Sequence, residues 1–257
     1  MTSIDQARCV LVIGATSGIG RALALAISEL PTRPTVIAAG RRQDRLKELA
    51  EKKLETLQID VSADEATLKT TVDSLVTKYP NLDAVILASG IQYNYDFTKG
   101  VDLTKITKEI NVNYLAVASL ITMFLPHFLE LSNEGRPSFI VPITSGLGLL
   151  PAPPVSNYSA SKAALRSFTT SLRSQLQSTH INVVEIIPPL VESELHDEQG
   201  TTEMLSKIWM PLDEYTKTTM EGLRKGDTHV AAGTAALVLK RFADAGLNDS
   251  FPISVAK

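Results

Sequence analysis

The sequence predicts an α/β fold: one doubly wound domain, residues 1–257, with a mostly parallel sheet and helices on both faces. Three observations predict it. Six short apolar runs recur along the chain, helix-like stretches separate them, and the first run ends in a glycine-rich turn. Residues 10–13 form the first run, and residues 21–30 repeat Leu23, Ala26, Ile27 and Leu30 at helical spacing. Pro31 and Pro34 punctuate the next connection. The run 35–39 precedes a charged helical stretch at 44–53, and the run 57–61 precedes another at 64–79. A fourth run, 84–88, ends at Gly90; a long helical pattern at 103–131 follows, which Pro126 is expected to kink. The run 139–143 leads through a loop with Gly146, Gly148, Pro151, Pro153 and Pro154 into a helix at 157–178. The sixth run, 183–187, stops at Pro188 and Pro189. Residues 194–225 are polar with scattered large apolar residues, an insertion suited to cover a substrate, and a last helix is expected at 229–245.

Composition narrows the function. With 257 residues, 44% hydrophobic and 21% charged, the chain can bury a core and is not a disordered sequence. The net charge of −3, with no block of five like charges, gives no electrostatic case for nucleic acid or an anionic membrane. The longest nearly apolar stretch, 114–125, is short of the roughly 20 residues a membrane span needs, so no transmembrane helix is expected. The first nine residues carry Asp5 and Arg8 and lack the layout of a signal peptide. A single cysteine, Cys9, has no internal disulfide partner, which is consistent with a reducing, cytoplasmic location. His127, His180, His196 and His229 show no metal-site spacing, and no metal is expected.

Two constellations carry chemistry. The first strand runs into Gly14, Ala15, Thr16, Ser17, Gly18, Ile19 and Gly20, a Gly-x-x-x-Gly-x-Gly turn that lets backbone approach a pyrophosphate at a helix N-terminus. The second strand ends in Gly40, Arg41 and Arg42, where a fold preferring NAD would place an acidic residue on the ribose. Two guanidiniums suit a 2′-phosphate instead, so the expected cofactor is NADP(H), although either arginine could simply solvate the start of the next helix. The second constellation is Tyr158 and Lys162, four apart and so on one helix face, with Thr144 and Ser145 closing the fifth strand. A nearby ammonium is expected to lower the tyrosine's pKa and ready it for proton transfer.

These residues make the chain resemble the short-chain dehydrogenase/reductase family, by motif from Val10 to Ser193 and more loosely beyond. The resemblance implies a Rossmann-type fold, with Ser145 as the catalytic serine, Tyr158 as acid/base and Lys162 as its partner and a ligand of the nicotinamide ribose. Counting from the Leu-Pro that ends the long helix segment, the family's asparagine falls on Asn113 rather than Asn111. It implies cofactor contacts at Asp60 and Val61, at Ser89 and Gly90, and at Pro188, Val191 and Ser193. The chain departs from the family pattern at Ile13, where threonine is usual, at Leu87-Ala88-Ser89-Gly90, where Asn-Asn-Ala-Gly is usual, and at Pro189, where glycine is usual.

The implied activity is reduction of a ketone or aldehyde to an alcohol, or the reverse. Ser145 would polarise the carbonyl, Tyr158 would deliver the proton, and Asn113 would hold a water linking Lys162 to solvent. Leu147, Leu149, Ile91, Tyr93 and Trp209 are candidate lining, with packing in the core as the alternative for each. A small-molecule carbonyl or alcohol is the expected partner, and a homodimer or homotetramer follows from resemblance alone. An NADP(H)-binding protein with a non-redox or regulatory role is the alternative, and retention of all four site residues argues against it.

Overall fold

The protein's structure, a computed structural model, describes residues 2–246. The tail at 247–257 lies outside the described residues. In chain order the elements are β1 (Cys9–Ile13), α1 (Gly18–Ser28), β2 (Thr35–Gly40), α2 (Gln43–Glu51), β3 (Glu55–Gln58), α3 (Glu65–Lys78) and β4 (Leu82–Leu87). There follow α4 (Leu103–Ile110), a π-helical turn (Asn111–Leu115), α5 (Ala116–Asn133), β5 (Ser138–Pro142), α6 (Ser156–Gln175), β6 (Ile181–Val183) and β7 (Glu185–Ile187). The described chain ends with α7 (Thr202–Leu205), α8 (Leu212–Lys225), β8 (His229–Ala231) and α9 (Gly233–Asp244).

The main sheet has six parallel strands in the order β3-β2-β1-β4-β5-β6. The order turns back between β1 and β4, the kind of switch point at whose carboxyl edge ligands bind in such sheets. Strands β1, β4 and β5 are buried along their whole length, as continuous apolar runs require of strands covered on both faces. Val10, Val12, Ile86 and Val141 face one core with Leu23 and Ile27 of α1. Leu11, Ile13, Val85 and Leu87 face the other with Leu120, Phe124 and Phe128 of α5. Each such large side chain, fully buried, contributes about 1.5–3 kcal/mol.

Three differences from the sequence reading have physical causes. The third strand lies at Glu55–Gln58 rather than 57–61, because it is the sheet's edge and its side chains are largely exposed, so it has no continuous apolar run. The sixth run divides at Val184: β6 stays in the main sheet, while β7 pairs in parallel with β8. The residues 229–231, expected to open the last helix, are that partner strand, and the helix begins at Gly233.

The long helical pattern is interrupted at Asn111–Leu115 and not at Pro126, which lies inside α5. Proline removes one backbone donor, but Phe124 and Phe128 on either side of it are fully buried and hold the helix to the sheet. The interruption instead widens the turn that carries Asn113. With that turn included, 103–133 is a 31-residue helical segment containing an 18-residue stretch of mean hydropathy 1.6, long and apolar enough to cross a membrane by length and composition. Within this fold, its residues Val117, Leu120 and Ile121 are buried against the sheet.

Candidate active site

The turn after β1 is shaped by close backbone approach. Gly14 has φ +92°, and a Cβ there would stand 2.7 Å from the Ala88 carbonyl carbon; a Cβ on Gly20 would stand 2.3 Å from the Gly14 oxygen. No side chain fits at either position. Ser17 occupies the N-cap position of α1 but makes no side-chain cap bond, and no acidic residue stands in the helix's first turn. The first-turn amides and the positive end of the helix dipole therefore suit an anion such as a pyrophosphate. Thr16 is buried, and Gly18 faces Ser193, whose Cβ would be 3.3 Å from a Cβ placed on that glycine.

At the end of β2, Arg41 is exposed and its carbonyl accepts from Gln58 Nε2 at 3.2 Å. Arg42 reaches back over the turn: its Nε and Nη2 donate to Thr16 Oγ1 at 3.2 and 3.1 Å, and Nη2 also donates to Ser17 Oγ. Asp60 accepts from the Ser62 amide and hydroxyl at 2.9 and 2.7 Å. Partial burial alone would raise its pKa, but these bonds and the Arg41 charge outweigh it and hold the carboxyl below its usual range. Val61 is buried in the core beside Ile13, while Ser89 is half-buried and Gly90 exposed at the sheet's carboxyl edge.

The second constellation assembles where β5 ends and α6 begins. Ser145 and Tyr158 are both 7% exposed, and Lys162 is 4% exposed. Ser145 Oγ accepts from the Leu147 amide at 3.1 Å. Lys162 Nζ donates to the Ile143 carbonyl at 2.8 Å and stands 5.7 Å from the centre of the Tyr158 ring. Burial pushes the Lys162 pKa down to about 8. Burial also pushes Tyr158 up to about 12; the nearby Ser145 hydroxyl works against the rise and the Glu109 charge adds to it. The expected lowering of the tyrosine by its lysine is thus not found in the protein alone, because both groups are taken out of water and the ammonium faces the ring and a carbonyl.

Asn113 is fully buried on the π-turn. Its Oδ1 accepts from the Ile91 amide at 2.9 Å, and its Nδ2 donates to the Ile91 carbonyl at 2.8 Å and to Ser161 Oγ at 3.1 Å. Both amide hydrogens are committed, so the side chain fastens the loop after β4 to the helix bearing Lys162. For the expected water, the side chain keeps the second lone pair of Oδ1, which accepts a single bond from Ile91. Gly90 lies close by: a Cβ there would be 3.5 Å from Asn113 Oδ1 and 3.8 Å from Lys162 Nζ.

The segment after β7 closes one side. Pro188 accepts from the Gly146 amide at 2.8 Å, tying this loop to the one after β5. Met210 pairs with the strap at 190–192 through bonds of 2.9 and 3.0 Å. Val191 is buried in the core, so its side chain is spent on packing. Of the expected lining, Leu149 is buried in a cluster with Ile187 and Ala235. Ile91, Tyr93, Leu147 and Trp209 are partly exposed, while Met204 and Ile208 are 63% and 72% exposed on the outer segment.

Two glutamates around this site escape sequence reasoning. Glu109, one helical turn before Asn113, is fully buried and accepts from the Tyr93 amide at 2.8 Å, Tyr95 hydroxyl at 3.1 Å and Asn157 Nδ2 at 2.6 Å. Its place four residues before Asn113, between Ile106 and Ile110, is the one signal that it faces inward. Glu185, also fully buried, accepts from Thr144 Oγ1 and Arg166 Nη1, both at 2.7 Å; it opens an apolar strand, and nothing local announces its partners.

Comparison with known proteins agrees with this architecture. The chain is 33% identical over 224 residues to the uncharacterized oxidoreductase DltE of Bacillus subtilis, covering 86% of each chain. It is 32% identical over 213 residues to sulfoacetaldehyde reductase 2 of Chromohalobacter salexigens, covering 79% of this chain and 82% of the other. A short-chain dehydrogenase from Sphingobium yanoikuyae solved in complex with NADPH superposes with a TM-score of 0.79 at 22% identity, over 97% of this chain and 98% of that one. One from Burkholderia phymatum in complex with NAD gives 0.80 at 19% identity, over 99% and 100%; these two likenesses establish the fold. Residues 8–204 match the family described as short chain dehydrogenase, and the chain belongs to that family.

Proposed function

We propose that the protein is an NADP(H)-dependent oxidoreductase that reduces a ketone or aldehyde to an alcohol, or runs the reverse, with Tyr158 as the general acid/base. The observation that carries this reading is the convergence of Ser145, Tyr158 and Lys162, all nearly buried, at the carboxyl edge beside the uncapped start of α1. The turn at Gly14–Gly20 would hold the pyrophosphate, Asp60 the adenine side, and Arg41 with Arg42 a 2′-phosphate. When bound, the nicotinamide supplies or accepts the hydride.

The remaining steps belong to the chain's own groups. Ser145 donates a hydrogen bond to the carbonyl oxygen where negative charge develops. With its pKa pushed up to about 12, Tyr158 holds its proton at neutral pH and is in the correct state to deliver it. Lys162, pushed down to about 8, exchanges protons near neutral pH and can reset the tyrosine. Asn113 keeps the Ile91 loop and the Lys162 helix in register. The segment 194–225 acts as the substrate lid, and the two arginines at the end of β2 support NADP(H) over NAD(H).

The test is oxidation of NADPH, with NADH in parallel, against a panel of aldehydes and ketones that includes sulfoacetaldehyde, alongside calorimetric cofactor binding. Tyr158→Phe should lower turnover by at least about 100-fold while leaving NADPH affinity within about twofold; turnover retained by that variant would remove Tyr158 as the acid.

A further inference from the structure

Arg42, one of the two arginines assigned to the 2′-phosphate, and Arg45, three residues on at the start of α2, have an engagement that the reaction does not use. Arg42 Nη1 meets Glu194 Oε2 at 2.6 Å, and Arg45 Nη2 meets Glu194 Oε1 at 3.3 Å. One carboxylate therefore spans two guanidiniums, the geometry in which arginine also takes a phosphate. The same Arg42 guanidinium donates to the Thr16 and Ser17 hydroxyls, so the carboxylate sits at the junction of the glycine turn and the end of β2. Its neighbour Ser193 packs against Gly18, which places the first residues of the lid directly over the turn. The contact joins residues 152 apart in sequence, all of them in loops or helix starts at the carboxyl edge. Asp44 Oδ2 lies 3.9 Å from Arg45 Nε and is largely exposed.

We propose that Glu194 is a specificity-determining residue: its carboxylate competes with the cofactor's 2′-phosphate for Arg42 and Arg45, so that phosphate binding detaches the start of the lid from the glycine turn. This rests on the NADP(H) reading given above. A 2′-phosphate carries between −1.5 and −2 charges and three acceptor oxygens, against one charge and two oxygens on the glutamate, so it outcompetes the carboxylate. NADH has nothing to offer these guanidiniums and leaves the contact in place. The lid then responds to the phosphate and not to the nicotinamide. All three side chains are 37–43% exposed, so the contact is weak enough to exchange.

The test uses the full chain and Glu194→Gln, which keeps the side chain's size and removes its charge at an exposed position. Calorimetric affinities are measured for NADPH, NADH, 2′,5′-ADP and 5′-AMP, the last two reporting the phosphate subsite without a nicotinamide. The variant should bind NADPH and 2′,5′-ADP about three- to tenfold more tightly, with NADH and 5′-AMP unchanged, and the gain should shrink in high salt. Unchanged NADPH affinity overturns the proposal. Weaker NADPH binding also overturns it, because Glu194 would then be closing over the cofactor rather than competing with it. Arg42→Ala separates the underlying reading: equal losses for NADPH and NADH would remove the 2′-phosphate site itself, whereas a selective loss of NADPH with a silent Glu194→Gln removes only the glutamate's part.

Discussion

Glu109 and Glu185 are both fully buried, and each holds the residue that precedes a site side chain: Asn157, before Tyr158, donates to Glu109, while Thr144, before Ser145, donates to Glu185. They differ in charge compensation. Glu185 has the Arg166 guanidinium at 2.7 Å and His229 Nε2 at 3.7 Å. Among the described residues, Glu109 accepts from a backbone amide, a phenol and a carboxamide, none of them cationic. Burial pushes both carboxyls up in pKa, but at Glu185 the Arg166 charge is the first force against it, whereas at Glu109 only hydrogen bonds oppose it. A paired charge frames the site without acting on it, while an unpaired one is felt by its neighbours, and the Glu109 charge is felt by Tyr158. Lys162 stands on the unpaired side of this contrast too, since desolvation alone shifts it.

The largest effect should come from breaking the compensated pair. Arg166→Met leaves a buried carboxylate without its guanidinium and should cost about 3–5 kcal/mol in urea unfolding. Adding Glu185→Leu should recover much of that loss, since an apolar pair avoids the desolvation of both charges. A single-variant loss under about 1 kcal/mol would mean that Glu185 is protonated in the fold, and the contrast with Glu109 would collapse.

Next is the pH dependence of the unpaired groups. Lys162 has a folded pKa near 8 against 10.5 unfolded, so between those values the unfolded chain binds more protons and stability rises with pH. The full displacement is on the order of 3 kcal/mol, absent below pH 8 and complete above 10.5. Tyr158 works in the opposite sense. Its folded pKa near 12 exceeds the ordinary 10, so its contribution is present below pH 10 and is lost as pH rises towards 12. Chemical denaturation from pH 7 to 10 should show wild-type stability rising relative to Lys162→Met. Parallel curves for the two proteins would contradict burial of a charged lysine.

Legibility in the sequence follows the range of the interactions. The glycine turn, Ser145, Tyr158 and Lys162 are local patterns whose meaning depends on neighbours a few residues away, and the structure brings them to one edge of the sheet as expected. Strands β1, β2, β4 and β5 are legible for the same reason, as continuous apolar runs. Strand β8 is three residues long and exists through its pairing with β7, so its letters alone suggested the start of a helix. Glu109, Glu185, Arg166 and Glu194 are charged residues that a sequence reading assigns to the surface. Their contacts to Asn157, Thr144 and Arg42 span 48, 41 and 152 residues. The frame around the site is therefore made by long-range polar bonds, and those are what a single sequence conceals.

A smaller effect separates position from charge at the uncompensated glutamate. Glu109→Gln keeps the size but removes the negative charge and gives the Tyr93 amide an imperfect acceptor, a cost of about 1–2 kcal/mol. Removing the charge should also ease ionisation of Tyr158, so the alkaline limb of the pH–rate profile should move down by up to about one pH unit. The other ionisable groups close to this arrangement are Tyr93, Tyr95, Lys105, Lys162 and Tyr215, and all are retained in the variant. A loss of stability with an unmoved profile would reduce Glu109 to a structural bond.

The smallest effect should lie on the compensated side. Thr144→Val removes the hydroxyl that donates to Glu185 at 2.7 Å and keeps the β-branched shape in a buried position. Glu185 still holds Arg166, so the carboxylate is not stranded and the cost should be about 1 kcal/mol, that of a single hydrogen bond. Because the charge there is already balanced, the pH–rate profile should keep its midpoints and turnover should change by less than about threefold, equivalent to under 1 kcal/mol in the barrier. Placed beside Glu109→Gln, the pair asks one question of two similar geometries: whether a buried carboxylate next to a reacting group acts through the bonds it makes or through the charge it carries. A shifted profile in Thr144→Val would mean that Arg166 does not neutralise Glu185 at the site, and that both glutamates tune the chemistry.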